Sequence, residues 1–407
     1  MKYSPPSLDI ASTAQKLLGY CLSNHWAGYD PYDALNSKLF IALPFLDSRL
    51  PRLALTQALK RSPVNIRPLL LVPKTQNPKG IALFLSALVK LSRIGLADNN
   101  HVDLLIGRLA ALQSPNVPYP CWGYSFPWQT RTIIVPRGAP NLVCTTFVAS
   151  ALLDVYEHRQ DSRCLSIAVK AAEYLLNELY WTDGGSVAGF SYPLPFLRNQ
   201  IHNASFLAAA VLCRVYKHTH EDKFLAPALK AARYSASKQH VDGSWDYGEA
   251  SSQRWVDNFH TGYNLCALQA ISRCAQTSEF NSVIRRGFQF YRDHFFRDDG
   301  AVRYFRDYTY PIDIHCVAQS IITLLAFEDL DPESVPLAHS VLRWAMSHMW
   351  DDEGFFYYRV LRSCTIRTSY MRWSQAWMLL ALATLLSSSN GTDTHAAPQR
   401  LAASLEE

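Results

Sequence analysis

The chain has 407 residues, of which 49% are hydrophobic, 12% aromatic and 18% charged. That much apolar surface excludes intrinsic disorder, because its burial offsets the entropy of ordering the chain. Thirty-nine Lys and Arg against 34 Asp and Glu leave a net charge of +5 without any Lys/Arg-rich run, so nucleic acid is disfavoured as a partner and anionic ligands are mildly favoured.

In chain order, the first stretch, MKYSPPSLDIASTAQKLL, has no basic segment followed by an apolar one, so no secretory signal is expected. GYDPYDALNS at 28–37 reads as a loop between helices and offers Asp30, Asp33 and Asn36. NIRPLLLVPKTQNPKG at 65–80 is interrupted by prolines and reads as a connection over the surface. Strand signals are few along the chain, and helical periodicity recurs throughout. Ser166–Tyr180 places Ile167, Ala171, Tyr174, Leu175 and Leu179 on one stripe. Ala204–Cys213 and Cys316–Phe327 are apolar nearly all round and should be buried. The apolar run Ala376–Leu386 is too short to span a bilayer, which takes about 20 residues. Nine scattered cysteines form no CxxC pair and fit free thiols in a reducing compartment, so a cytoplasmic protein is expected.

An internal repeat organises the chain. Asp-Gly or Glu-Gly turns occur at Asp183-Gly184, Asp242-Gly243, Asp299-Gly300 and Glu353-Gly354, at Gly-to-Gly intervals of 59, 57 and 54 residues, and Gly123 lies 61 before Gly184. Each unit is an amphipathic helix, an aromatic-rich loop with a glycine turn, and a more apolar helix. A repeat this long, built of two helices, predicts stacked helical hairpins. Closing five or six of them buries the apolar helices inside and predicts an all-α fold, an α/α toroid with its long loops on one face. A single domain is expected over 1–387, less regular over 1–120 and clearly repetitive over 121–387, with a disordered polar tail at 388–407.

The loops that lead into the inner helices carry the chemistry. Polar residues gather where those helices begin: Asn141 and Thr145, His202 and Asn203, Asp257 and His260, Asp313, His315 and Gln319, Arg372 and Gln375. Among them lie Trp122, Tyr124, Trp128, Tyr192, Trp245, Trp255, Tyr263, Tyr310, Tyr358, Tyr370 and Trp373. Aromatic walls with planar hydrogen-bonding groups suit a sugar, and converging helix N-termini favour an anionic one. Arg131, Arg137, Arg198, Arg254 and Arg372 add positive charge. DNFHTGY and YPIDIHC each place Asp, His and an aromatic within seven residues. His260 or Tyr263 is thus the proton-transfer candidate, His315 its counterpart across the ring, and Arg372 a carboxylate clamp. Asp257 and Asp313 orient the imidazoles or, in a hydrolase, act directly. Substrate-binding candidates are Trp122, Tyr124, Trp128, Tyr192, His202, Asn203, Trp245, Gln319, Tyr370 and Trp373. Asp183, Asp242 and Asp299 read as turn formers, and capping alone explains Asp257 and Asp313 equally well. No Cys/His grouping has zinc-site spacing, and no phosphate-binding glycine loop is present, so neither metal nor cofactor is expected.

VDGSWDYG and its upstream helix resemble the repeat of toroidal terpene cyclases and prenyltransferases. GGSVAGFSYPLP followed by IHNASFLAAAVLCRVYKHT is similar to the C-terminal helical domain of glucuronyl C5-epimerases. DNFHTGYNLCALQAI, YPIDIHCVAQSIITLLAF and YMRWSQAWMLLALATLL resemble toroidal proteins of bacterial polysaccharide biosynthesis. The terpenoid branch requires DxDD or DDxxD, and the lanthionine-cyclase branch requires a zinc-binding Cys-His pair; this chain has neither. The resemblance therefore implies a carbohydrate-active protein. Its expected substrate is a uronic-acid-containing oligo- or polysaccharide, lipid-linked forms included, and its expected reaction is proton abstraction at C5 by an epimerase or lyase. A glycoside hydrolase with paired carboxylates, a terpenoid cyclase-like enzyme and a non-catalytic glycan-binding assembly protein are the alternatives.

Overall fold

The computed structural model describes residues 9–391. Its helices in chain order begin with α1 (Ile10–Ser23), α2 (Lys38–Ile41), α3 (Arg49–Arg61), α4 (Pro78–Arg93), α5 (Asn99–Ala111), α6 (Leu142–Arg159) and α7 (Ser162–Tyr174). They continue with α8 (His202–Thr219), α9 (Asp222–Ser237), α10 (Asn258–Cys274), α11 (Asn281–Phe295), α12 (Ile314–Ala326), α13 (Ser334–Met349) and α14 (Ala376–Gly391). Helices α4, α6, α8, α10, α12 and α14 pack each on the next, and α14 returns to α4, so the inner ring is closed. Outside it, α5, α7, α9, α11 and α13 each pack on the inner helix that precedes them, and α1 covers α14. This is the α/α toroid.

Side-chain chemistry sorts the two layers. Inner α6 buries Leu142, Val143, Val148, Leu152, Leu153 and Val155 on several sides, as a helix with neighbours all round must. Outer α11 instead buries Ile284, Gly287, Phe288, Tyr291 and Phe295, one stripe at spacings of three and four. At the repeated turns Gly184, Gly243, Gly300 and Gly354 have φ between +86° and +90° or, at Gly243, +92°. A Cβ on Gly243 would also lie 2.4 Å from the Arg286 carbonyl oxygen, so both backbone and space exclude a side chain there.

Hairpin geometry decides where the site lies. The inner-to-outer turns are short, whereas the outer-to-inner loops are long and carry all the small β-ribbons. One of these ribbons pairs Ile312–Asp313 with Arg359–Val360, tying the loop before α12 to the loop before α14. The six N-termini of the inner helices therefore share one face with the six long loops.

Two expectations for the flanks change. The segment 65–80 is not wholly a surface connection: Asn77 caps α4 by accepting from the Lys79 N–H at 3.1 Å, and Pro78 occupies the first helical position. Residues 28–37 form the sixth loop of the site face. At the other end α14 runs to Gly391, beyond the expected boundary at 387, and the remainder of the expected tail lies outside the described residues. All nine cysteines are unpaired. No helix among the described residues is long and apolar enough to cross a membrane.

Candidate functional site

A cavity of about 430 Å³ opens at the centre of the loop face, a size within the ~300–1,000 Å³ typical of small-molecule sites. Every long loop or the helix start beyond it contributes: Tyr32, Tyr124 with Phe126 and Trp128, Tyr192 with Asn203, Tyr247 with Trp255, Tyr304 with Phe305, and Arg372 with Trp373. Tyr247 and Trp255 stack with ring centroids 4.5 Å apart, forming one flat wall. The floor is Lys79, whose Nζ lies 4.1 Å from the Phe147 ring centroid and 5.4 Å from those of Tyr263 and Trp377. Beneath it Phe147 lines a second cavity at the opposite end of the ring, and the two cavities share no lining residue, so the upper one is closed at this floor.

The start of α10 supplies the first constellation. Asp257 caps the helix by accepting from the His260 N–H at 3.0 Å, and its other oxygen binds His260 Nδ1 at 2.7 Å. Trp255 Nε1 donates to that same oxygen at 3.1 Å. A buried carboxylate thus holds the imidazole by Nδ1, and Nε2 has no hydrogen-bond partner among the described residues. The second constellation joins α10 to the neighbouring α12: the Tyr263 hydroxyl is 2.6 Å from His315 Nε2. His315 is clamped between Phe259 and Trp377, each with a centroid separation of 4.6 Å. Burial, reinforced by the Lys79, Arg372 and His260 charges, pushes the His315 pKa well below the usual value and holds the ring neutral. Burial likewise raises the Tyr263 phenol and keeps it protonated.

Lys79 is a cavity residue that the sequence reading missed. Buried in the floor with no carboxylate partner among the described residues, it has its pKa pulled from 10.5 to about 7, first by desolvation and then by Arg372. The signal was present in Asn77-Pro78-Lys79-Gly80, a cap followed by proline at the first helical position. Asn203 is similarly placed in the wall, with its side-chain oxygen buried and unpartnered.

Other expected positions move. His315 is not across the ring from His260; both pack against Phe259, His315 stacked on it and His260 tilted at 4.1 Å, because α10 and α12 are adjacent. Arg372 lines the cavity, but its Nε and Nη2 bind both oxygens of Asp30 at 2.6 and 2.8 Å, so this guanidinium is already matched by a carboxylate. Asp313 does not reach the cavity. It is fully buried, capping α12 through the His315 N–H at 2.9 Å, and it accepts from Trp373 Nε1 at 2.9 Å and from Arg359 Nε.

Five substrate-binding candidates stand behind the wall rather than in it. Trp122 and Trp245 are packing residues whose Nε1 groups donate to the Leu109 and Ser235 carbonyl oxygens. His202 is buried beside Ser235, and desolvation lowers its pKa to about 4. Gln319 lies a turn below His315 and donates to Thr323 at 3.0 Å. Tyr370 is fully buried under the Arg67 guanidinium. Tyr124, Trp128, Tyr192, Asn203 and Trp373 do line the cavity, as do Asp257, His260, Tyr263 and His315. Of the basic loop residues, Arg131 reaches the rim, while Arg137, Arg198 and Arg254 point to solvent outside it. Among the described residues no group of three or more His, Cys, Asp or Glu is arranged to hold a metal ion.

No family model matches the sequence. No curated protein matches it either. Solved structures do. The chain is similar to a cellobiose 2-epimerase from Bacillus thermoamylovorans, with TM-score 0.61 and 11% identity over 77% of this chain and 88% of that one. It is similar to a family 76 glycoside hydrolase (mannosidase) from Bacteroides thetaiotaomicron, with TM-score 0.60 and 11% identity over 94% and 100% of the two chains. A polysaccharide lyase aligns over 96% and 99%, with TM-score 0.58 and 9% identity. These neighbours are carbohydrate-active α/α toroids. At such identities the likeness establishes the fold.

Proposed function

We propose that this protein is a sugar-modifying enzyme, an epimerase or lyase, that removes a proton from a carbon α to a carbonyl group at the end of a glycan chain. The observation that carries this reading is the pair of imidazoles on adjacent helices, His260 held by Asp257 and neutral His315 held by Tyr263, facing one blind aromatic pocket. His260 Nε2 takes the C–H proton, and Asp257 stabilises the imidazolium that forms. Charge moves to the carbonyl oxygen, where the Lys79 ammonium donates. The Tyr263 hydroxyl, hydrogen-bonded to neutral His315, returns a proton to the carbon once the planar enolate has turned its other face to it, and solvent reprotonates the phenolate, giving the epimer; loss of a leaving group from the β-carbon gives the lyase product instead. Groups of these two kinds contribute about 10²–10⁴ and about 10²–10³ in rate.

The blind floor suits a chain end better than an internal unit. Two sugar carbons at such an end lie α to a carbonyl, C5 of a uronate and C2 of an open-chain reducing sugar. The acidic-glycan assignment rests on Lys79 and Arg131, since Asp30 neutralises Arg372. A hydrolase uses two carboxylates roughly 5–9.5 Å apart. Of the proposed pair Asp257 lines the cavity and Asp313 is enclosed, so the proton-transfer reading has the better-supplied groups.

The test is incubation in deuterated water with a reducing disaccharide (cellobiose) and, separately, with a glucuronate-terminated oligosaccharide. Deuterium at C2 or C5 without chain cleavage is expected for an epimerase, and an unsaturated chromophore for a lyase. New reducing ends without either signal would assign a hydrolase and overturn the reading.

A further inference from the structure

We propose that the segment 38–71 is a docking surface for an anionic phospholipid bilayer and seats the protein beside the membrane with its cavity mouth at the headgroups. This goes beyond the proton-transfer reading and does not depend on it. Among the described residues, eight of the fifteen exposed large apolar side chains fall in this segment, including Phe45 at 77%, Leu69 at 76%, Leu50 at 74% and Ile41 at 64% exposure. Soluble monomers rarely gather so many without a partner for them.

The local architecture explains why they point outward. The segment packs on a small core of Ala34, Leu59 and Val72, to which it contributes Leu59 and against which Leu55, Ile66 and Leu70 lie. That core uses the inner side of α3 and leaves Leu50, Ala54 and Ala58 on the outer side, between Arg49 and Arg61. The backbone N–H of Lys38 donates to the Leu71 carbonyl oxygen, and Ser37 Oγ to that of Leu70, so the two ends of the segment lie together.

Charge selects the occupant. Residues 38–71 hold six Lys or Arg against one Asp, a net +5 equal to that of the whole chain, so the rest of the molecule is formally neutral. Arg67 is buried on Asp33 and Arg52 is paired with Asp47, but Lys38, Arg49 and Arg61 are exposed and make no ion pair among the described residues. Large apolar side chains set among unpaired cations match a bilayer surface, where the former enter the acyl boundary and the latter meet lipid phosphates. Protein interfaces, by contrast, are depleted of lysine at their cores.

Position gives the surface a purpose. The same loop contributes Tyr32 to the cavity, and Arg52 Nη1 donates at 3.2 Å to Gln129 Oε1, next to wall residue Trp128. A membrane-borne glycan would thus meet the pocket without leaving the bilayer surface.

The experiment is vesicle flotation of the full chain with phosphatidylcholine alone and with about 30% phosphatidylglycerol added, at low and high salt. Binding to the anionic vesicles is expected, weakened by salt, and lowered at least ~10-fold both in Ile41→Asp/Phe45→Asp and in Lys38→Glu/Arg49→Glu/Arg61→Glu. Unchanged circular dichroism and melting would show that these surface variants fold. Failure of the wild type to float with anionic vesicles, or equal flotation of the variants, overturns the proposal. So does a concentration-dependent dimer broken by Phe45→Asp in the absence of lipid, which would assign the patch to a second copy of the chain.

Discussion

Replacing Lys79 by methionine should stabilise the fold at pH 6 and should do so less as the pH rises. The amine is buried against Phe147, Tyr263 and Trp377, and its folded pKa falls from 10.5 to about 7. A depressed pKa means that the unfolded chain binds the proton more tightly. Wild-type stability from this group is therefore fully present above pH 10.5 and is lost as the pH falls through 7. The drop is roughly 3.5 units, or about 5 kcal/mol at 1.36 kcal/mol per unit. Methionine forfeits the attraction between ammonium and rings, worth up to about 2 kcal/mol when desolvated. The net gain at pH 6 is then about 3 kcal/mol. With unfolding entropy near 2.1 cal/mol/K per residue over roughly 380 residues, this is a rise of about 4 °C in Tm. The assay is a pair of melting series from pH 6 to pH 10, with the same variant tested for deuterium incorporation, which should fall by about 10²-fold or more. A Tm difference of constant size across the series, or a variant less stable than wild type at pH 6, would refute the reasoning.

Asp257→Asn should retain the helix cap, since Asn caps as well as Asp, yet lower deuterium incorporation by about 10²-fold or more because His260 loses its counter-charge; near-normal turnover would remove His260 from the mechanism. Asp30→Asn should cost about 3–5 kcal/mol in urea denaturation by leaving Arg372 buried and unmatched. An unchanged midpoint would return Arg372 to the role of a free ligand clamp. Gly243→Ala should cost about 1–3 kcal/mol, measured the same way, since the positive φ and the Arg286 carbonyl both oppose a Cβ.

The toroid was legible because burial in two layers writes two kinds of helix into the chain and because the glycine turns repeat at nearly constant intervals. The local part of the site was legible for the same reason: Asp257 and His260 are neighbours in sequence, so capping geometry alone brings them together. Contacts between distant segments were not. Nothing in YPIDIHC reveals that Asp313 faces Arg359, because the ribbon that joins them pairs two separate loops. Nothing in SYMRWSQAW reveals Asp30. The rule that polar residues at inner-helix starts face the cavity also failed where the residue sits on the outer side of its turn, as His202 does against Ser235. Lys79 was hidden by its flanking prolines, which read as a surface connection but preset the first turn of α4.

The pairing of Arg372 with Asp30 spans 342 positions, and α1 closes on α14 only after the whole ring has been built. Each repeat can bury its apolar face on the one before it, so assembly can advance along the chain during synthesis. The pocket cannot. Until the last helix arrives, Lys79 has no Trp377 beneath it, His315 has no second ring to stack on, and the gap between α4 and α12 admits water. The desolvation that shifts the proton affinities of these groups therefore depends on contact between the two ends of the chain. Short of ring closure the cavity side chains stay in water, so the polarity of the pocket belongs to the complete ring and to no single repeat.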